Sequence, residues 1–157
     1  MTYRRLAGAA GLGAACVLAL SAAAWSAPIQ ITTASKAPLG TYLTDSAGRT
    51  LYMFTADMKG MSMCSGSCTK PWPAVLTTGA PTAGNGVQAS ALGTITNGGA
   101  QQVTYDGRPL YYFIRDKSAG STAGEGITHF GGSWYVLSPD GKGILPDGKA
   151  LAASGTW

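Results

Sequence analysis

The sequence predicts an all-β protein in which two pseudo-repeated β-hairpin modules pack as one small domain. The first observation behind this prediction is an internal repeat. The second is that short runs of Tyr, Phe, Leu, Val and Thr are separated by Gly, Asp and Asn, as in strands joined by turns. The third is that no dozen residues after the N-terminal segment show apolar side chains at helical spacing without a Gly or Pro among them. Little helix is therefore expected there.

The internal repeat is a ten-residue unit with the pattern Gly-Arg-x-Leu-Tyr-x-Phe-x-x-Asp. It occurs at residues 48–57 and again at residues 107–116, with six of ten positions identical and no gap. Segments on both sides of the unit also match, in the same order. They are residues 42–45 with 103–106, and residues 72–76 with 134–137. Agreement over three ordered segments indicates a duplication.

Each copy is expected to form a β-hairpin followed by a loop and a return strand. Asp106-Gly107 suits a two-residue type I′ turn, because glycine accepts a positive φ without steric cost. The first copy has a longer turn at residues 45–48. Residues 94–96 before Asn97-Gly98-Gly99 give a further hairpin signal in front of the second copy.

The strand after the first turn is expected to be covered on both sides. Side chains alternate between the two faces of a strand, so Leu51 and Met53 share one face and Tyr52 and Phe54 the other. Both faces are therefore apolar. This favours a sandwich or a closed repeat over a sheet with one solvent-exposed face.

The N-terminal segment, residues 1–27, has the three parts of a cleavable signal peptide. Arg4 and Arg5 precede an uncharged apolar run over residues 6–20, which small residues follow. Export to the periplasm or the medium is expected, with no transmembrane helix left after cleavage. Lipidation at Cys16 is not expected, because the usual Leu three residues earlier is missing and apolar sequence continues past the cysteine.

The rest of the chain divides by composition. Residues 28–38 are small and polar and are interpreted as a leader, and residues 39–145 as the two-repeat domain. Within that domain the repeats are placed at about residues 39–76 and 101–138. Residues 146–157 are interpreted as a tail.

The charge argues against nucleic acid as a partner. The whole chain carries 11 basic and 7 acidic residues, and losing Arg4 and Arg5 leaves a net charge of +2. No Lys/Arg cluster that could follow a phosphate backbone remains.

Cys64 and Cys68 are expected to form a disulfide. Exported compartments are oxidising, and the three residues between the cysteines are small enough for the chain to fold back. A redox-active pair is the alternative. The spacing is not Cys-x-x-Cys, however, and no βαβ pattern surrounds it.

Soft-metal binding is the sharpest chemical hypothesis, with copper as the candidate cofactor. Met58, Met61 and Met63 crowd the loop before Cys64, and His129, the only histidine, lies in the equivalent loop of the second copy. Thioethers are soft ligands that favour Cu(I). Methionines that merely fill gaps, and a histidine that merely occupies a loop, remain the alternative.

No catalytic residue is predicted. Asp57 and Asp116 occupy matching positions, but an Asp at a strand end commonly accepts backbone N–H bonds in a turn. The serines have no nucleophile elbow or set of His and acidic partners. Most aromatic side chains are expected in the core rather than on a ligand surface. The protein is therefore expected not to be an enzyme.

The duplicated unit resembles a bacterial family of secreted repeats and predicted lipoproteins with a Tyr-x-(aromatic)-x-x-Asp motif. The motif residues here are Tyr52, Phe54, Asp57, Tyr111, Phe113 and Asp116. Flanking residues add to the resemblance: Cys64, Cys68, Trp72, Pro73, Trp134 and Tyr135. The resemblance covers about residues 39–141. It implies export and a repeated architecture, and no activity.

Together these observations predict an exported, non-enzymatic binding or envelope-associated protein of unknown ligand, with copper as the specific candidate. A periplasmic thiol-redox protein using Cys64 and Cys68 is the first alternative. A purely structural envelope protein is the second.

Overall fold

The computed structural model describes residues 27–152. The predicted signal peptide, apart from Ala27, lies outside the described residues, and so does Cys16. The described chain forms ten short strands and two 3-10 turns. The strands are β1 (Gln30–Lys36), β2 (Gly40–Asp45), β3 (Tyr52–Phe54), β4 (Leu76–Thr77), β5 (Thr82–Ala83), β6 (Leu92–Asn97), β7 (Ala100–Tyr105), β8 (Arg108–Pro109), β9 (Thr128–His129) and β10 (Gly132–Val136). The 3-10 turns are Gly66–Thr69 and Ala89–Ala91. The all-β prediction is confirmed.

Residues 28–38 are not a leader, because they contain strand β1. This strand pairs antiparallel with β2, with Ile31 opposite Asp45. β6 pairs with β7 in the same way, with Leu92 opposite Tyr105, so the second repeat begins before the predicted residue 101. The strand was missed because Ile31, which is 0% exposed, is its one large apolar side chain. Backbone hydrogen bonds to β2, rather than buried apolar side chains, hold the rest of the strand.

The predicted type I′ turn of the second repeat is confirmed. Asp106 and Gly107 have φ values of 48° and 75°, and Tyr105 pairs with Arg108 across the turn. In the first repeat the Asp45 N–H donates to the Arg49 carbonyl at 3.0 Å. Its turn is therefore one residue longer.

The extra turn residue shifts the true correspondence of the strands by one position. Leu51 N–H donates to the Leu43 carbonyl at 3.1 Å, and Leu110 N–H donates to the Val103 carbonyl at 3.0 Å. Leu43 therefore corresponds to Val103. The alignment without an insertion, which placed Leu43 against Thr104, is wrong there.

The two repeats exchange their return strands. In β10, which belongs to the second repeat, Trp134 pairs with Phe54 and Val136 with Tyr52 of the first repeat. In the opposite direction, Ala74 of the first repeat pairs with Tyr111 of the second. Each hairpin is therefore completed by the strand that follows the other hairpin.

Tyr52 and Tyr111 mark the centre of this exchange. Tyr52 N–H donates to the Tyr111 carbonyl at 2.9 Å, and Tyr111 N–H donates to the Tyr52 carbonyl at 3.0 Å. Equivalent residues thus bind each other reciprocally, which is the pattern of a pseudo-two-fold axis.

The prediction that both faces of β3 are apolar is confirmed. Tyr52 and Phe54 belong to one buried cluster. Leu51 and Met53 belong to a second cluster on the other face. β3 therefore separates two cores, and a shift of its register by one residue would place every side chain in the wrong one.

A stack of four aromatic rings occupies the first core. Phe54 stacks on Trp134 with ring centroids 4.1 Å apart, and the two tryptophans stack at 3.9 Å and 2°. Phe113 closes the other end, 4.3 Å from Trp72. Each tryptophan therefore lies between the other tryptophan and the phenylalanine of the opposite repeat.

The segment interpreted as a tail folds back onto the domain over its described part. Ile144 pairs with Ala150, and Leu151 N–H donates to the Gly143 carbonyl at 2.7 Å. Leu151 packs on the second core. Within residues 27–152, no helix has the length and apolar character needed to cross a membrane.

Candidate functional site

The repeat motif forms two hydrogen bonds that cross between the repeats. The Tyr52 hydroxyl donates to Asp116 Oδ2 at 2.7 Å. The Tyr111 hydroxyl donates to Asp57 Oδ2 at 2.8 Å. Each tyrosine therefore binds the aspartate of the other copy rather than its own.

The second oxygen of each aspartate anchors the loop that follows it. Asp57 Oδ1 accepts the Met63 N–H at 2.7 Å. Asp116 Oδ1 accepts the Ala123 N–H at 2.8 Å and the Ser121 hydroxyl at 3.0 Å. These contacts match the expected turn-binding role of an Asp at a strand end.

Burial controls the ionisation of these groups. It raises the pKa of Asp57 from 3.8 to about 6, against the opposing effect of the hydrogen bonds from Met63 N–H and Tyr111. Burial also raises the pKa of Tyr52 and Tyr111 well above the usual tyrosine range. Both hydroxyls therefore stay protonated as donors at any physiological pH.

The raised pKa of Asp57 predicts a stability that falls as the pH rises. Between pH 3.8 and about 6 the folded protein holds a proton at Asp57 that the unfolded chain releases, so unfolding is favoured as the pH increases. The contribution is on the order of 3 kcal/mol. Urea unfolding of wild type and Asp57→Asn from pH 4 to 7 measures this contribution. The free energy of unfolding of the variant should fall less steeply than that of wild type between pH 4 and about 6.

Glu125→Gln is a second variant for that experiment, because the carboxyl group of Glu125 is also buried. Burial raises the pKa of Glu125 to about 7, so its contribution extends to a higher pH than that of Asp57. An Asp57→Asn protein that declines as steeply as wild type between pH 4 and 6 would contradict the assignment.

The predicted disulfide is present between Cys64 and Cys68, whose Cα atoms are 5.4 Å apart. Both cysteines are 3% exposed and belong to the aromatic core. The bond therefore fixes the end of the methionine-rich loop to the core. Neither sulfur is available as a thiolate ligand while it persists.

The three methionines form one exposed structure, residues 58–63, which we call the methionine hairpin. Met58 and Met61 exchange two backbone hydrogen bonds of 3.1 and 3.0 Å around the turn Lys59-Gly60. Residues directly opposite each other in such a pair carry their side chains on the same face, with Cα atoms about 5.5 Å apart. Met58, Met61 and Met63 are 53%, 50% and 51% exposed.

The methionine hairpin is fixed at its turn and beside Met63. Gly60 N–H donates to the Gly107 carbonyl at 2.8 Å. The Ser62 hydroxyl lies 2.7 Å from the Tyr111 hydroxyl, which also binds Asp57. The crossed Tyr–Asp pair thus supports the loop that carries the thioethers.

The exposed His129 lies in a different environment from the methionine hairpin. It lines a cavity of about 330 Å³ together with Trp72, Phe113 and Arg115, and no methionine lines that cavity. In the described part of the chain, no three His, Cys, Asp or Glu side chains are grouped as metal ligands. The sequence did not indicate this cavity, because its rings come from three separate segments of the chain.

Comparison with known proteins gives one match. The pattern of a family described as "Secreted repeat of unknown function" matches residues 33–76 and 94–138. The two matches begin at equivalent positions of β1 and β6, since Thr33 pairs with Leu43 and Thr94 with Val103. No curated protein and no solved structure matches the chain.

Proposed function

Because the chain belongs to the family of secreted repeats of unknown function, we propose that it is an exported, non-enzymatic binding protein whose methionine hairpin holds Cu(I). The observation that carries the proposal is that three half-exposed methionines lie on one anchored hairpin, with Met58 directly opposite Met61. Export is supported by the family's description as secreted and by the N-terminal signal pattern.

The donor chemistry of the hairpin suits a soft monovalent ion. Thioether sulfur is soft and polarizable and selects Cu(I) over the hard cations that prefer oxygen. It also needs no deprotonation, so binding should depend little on pH. With Cys64 and Cys68 in a disulfide, the proposal rests on Met58, Met61 and Met63.

Anchoring lowers the entropic cost of binding. A bound metal ion fixes the methionine side chains, which costs rotamer entropy. It does not also have to order the backbone, because Asp57 and the disulfide already hold the backbone in place. Preorganisation of this kind increases affinity without an added contact.

Anaerobic Cu(I) titration against a competing chelator tests the proposal. Met61→Leu combined with Met63→Leu keeps the apolar volume and removes two sulfurs, so the affinity should fall at least about tenfold, which is about 1.4 kcal/mol. Leu76→Ala is the matched control, since Leu76 is as exposed as the methionines (51%) but carries no sulfur. Intact mass of the exported protein, taken first, should show the signal peptide removed and the disulfide formed.

Each outcome assigns a function. Equal Cu(I) affinity in wild type and the double variant would rule out the methionine hairpin as a metal site and leave the structural envelope role. Turnover with a dithiol substrate would favour the thiol-redox alternative instead. The burial of both cysteines at 3% exposure argues against that alternative, because thiol–disulfide exchange needs access to a sulfur.

A further inference from the structure

We propose that the cavity beside Phe113 is a second binding site, which takes a small anionic molecule containing an aromatic ring, with Arg115 holding the acidic group. The cavity has a volume of about 330 Å³, at the lower end of the range for small-molecule sites. Its apolar lining comes from Pro71, Trp72, Phe113, Ile127 and Phe130. The site is separate from the methionine hairpin.

The aromatic floor of the cavity is rigid. Phe113 stacks on Trp72, and Trp72 stacks on Trp134 with planes 2° apart. A ring entering the cavity therefore meets a surface that needs no reorganisation, which reduces the ordering cost of binding. Aromatic pairs in offset or edge arrangements add to simple area burial.

Arg115 contributes a positive charge to the lining of the cavity. Arg115 is exposed and forms no ion pair within the described chain. The adjacent Asp116 does not pair with it, since its carboxylate accepts hydrogen bonds from the Tyr52 and Ser121 hydroxyls. A guanidinium in this position can bind a carboxylate, sulfonate or phosphate through two parallel hydrogen bonds.

Phe130 has a backbone conformation that its residue type does not favour. Its φ is 59° and that of Gly131 is 85°, in the two-residue turn between His129 and Gly132. Asn, Asp or Gly usually occupies the first position of such a turn, and a bulky side chain there is a true outlier. The turn thus holds Phe130 in a backbone conformation that is unfavourable for it, while its half-buried ring packs against the first core and lines the cavity, and such backbone outliers cluster at functional sites.

The two repeats differ at the charged position of this site, because Arg115 corresponds to Ala56 in the first repeat. A glycine lies against the phenylalanine ring in both repeats, since an added Cβ at Gly132 would be 2.7 Å from Phe54 and one at Gly124 would be 3.0 Å from Phe113. The charge at residue 115 is therefore the feature that distinguishes the second repeat.

Two dyes that differ only in an acidic group provide the test. 8-Anilino-1-naphthalenesulfonate is the anionic probe, and N-phenyl-1-naphthylamine is the same ring system without the sulfonate. The anionic dye should bind the full exported protein about tenfold more tightly than the neutral one, by fluorescence titration. Arg115→Gln should abolish that difference, and the neighbouring Lys117→Gln, whose side chain does not line the cavity, should leave it unchanged.

Phe130→Asn separates binding from folding. Asn suits the positive φ better than Phe, which opposes the loss of the contact between the ring and the first core. The melting temperature should therefore change by only a few degrees, whereas the affinity for both dyes should drop about tenfold with the loss of the ring contact. Equal affinity for the two dyes in wild type would overturn the proposal. An equal effect of Arg115→Gln and Lys117→Gln would also overturn it, as would unchanged dye binding in Phe130→Asn.

Discussion

Trp134→Ala should lower the free energy of unfolding by about 4 kcal/mol, the typical cost of truncating a fully buried tryptophan. Trp134 is 0% exposed and stacks between Phe54 and Trp72. Its removal would leave a cavity at the centre of the aromatic stack. Since domains of this size are stable by only about 5–15 kcal/mol, the substitution removes a large part of the free energy that keeps the chain folded.

Trp72→Ala should cost nearly as much, because Trp72 holds the equivalent place between Trp134 and Phe113. Chemical unfolding monitored by far-UV circular dichroism measures both variants. Leu76→Ala, at a half-exposed position, serves as the control and should change stability by less than about 0.5 kcal/mol. A cost below about 2 kcal/mol for either tryptophan would be incompatible with a close-packed stack.

Tyr52→Phe and Tyr111→Phe should each cost about 2 kcal/mol, since each removes a hydrogen bond to a carboxylate and leaves that oxygen without its donor. The bonds are 2.7 and 2.8 Å long. Tyr135→Phe is the matched control, because the Tyr135 hydroxyl takes part in no hydrogen bond within residues 27–152. Its unfolding free energy should stay within about 0.5 kcal/mol of wild type.

A double-mutant cycle tests whether these bonds cross between the repeats. Tyr52→Phe combined with Asp116→Asn should be non-additive by about 1 kcal/mol or more, because the two side chains share one bond. Tyr52→Phe combined with Asp57→Asn should be additive. The reverse result would place each tyrosine on its own repeat's aspartate and would refute the crossed pairing.

The sequence was sufficient to predict the features that depend on local chemistry. The turn at Asp106-Gly107 follows from the conformational freedom of glycine, and the disulfide from two nearby cysteines with small residues between them. The two-sided burial of β3 follows from alternation alone, since Leu51 and Tyr52 must face opposite sides of the strand.

The features that depend on pairing at long range could not be predicted. The motif residues Tyr52 and Asp57 lie five positions apart, and nothing in their spacing indicates that each binds the other repeat. β1 was missed because its strand state comes from hydrogen bonds to β2 and not from apolar side chains. The cavity at Arg115 was missed for the same reason, since residues from separate loops meet only in the folded chain.

The exchange of return strands has a consequence for how such a protein can be divided. Cutting the chain between Thr82 and Leu92 would give two fragments, each carrying the strand that the other hairpin needs and lacking the one that would complete its own. One fragment alone would therefore expose the apolar surface that the other fragment normally covers. Two fragments together could cover each other's exposed surfaces. The domain therefore has, within one polypeptide, the organisation that a symmetric dimer has between two subunits.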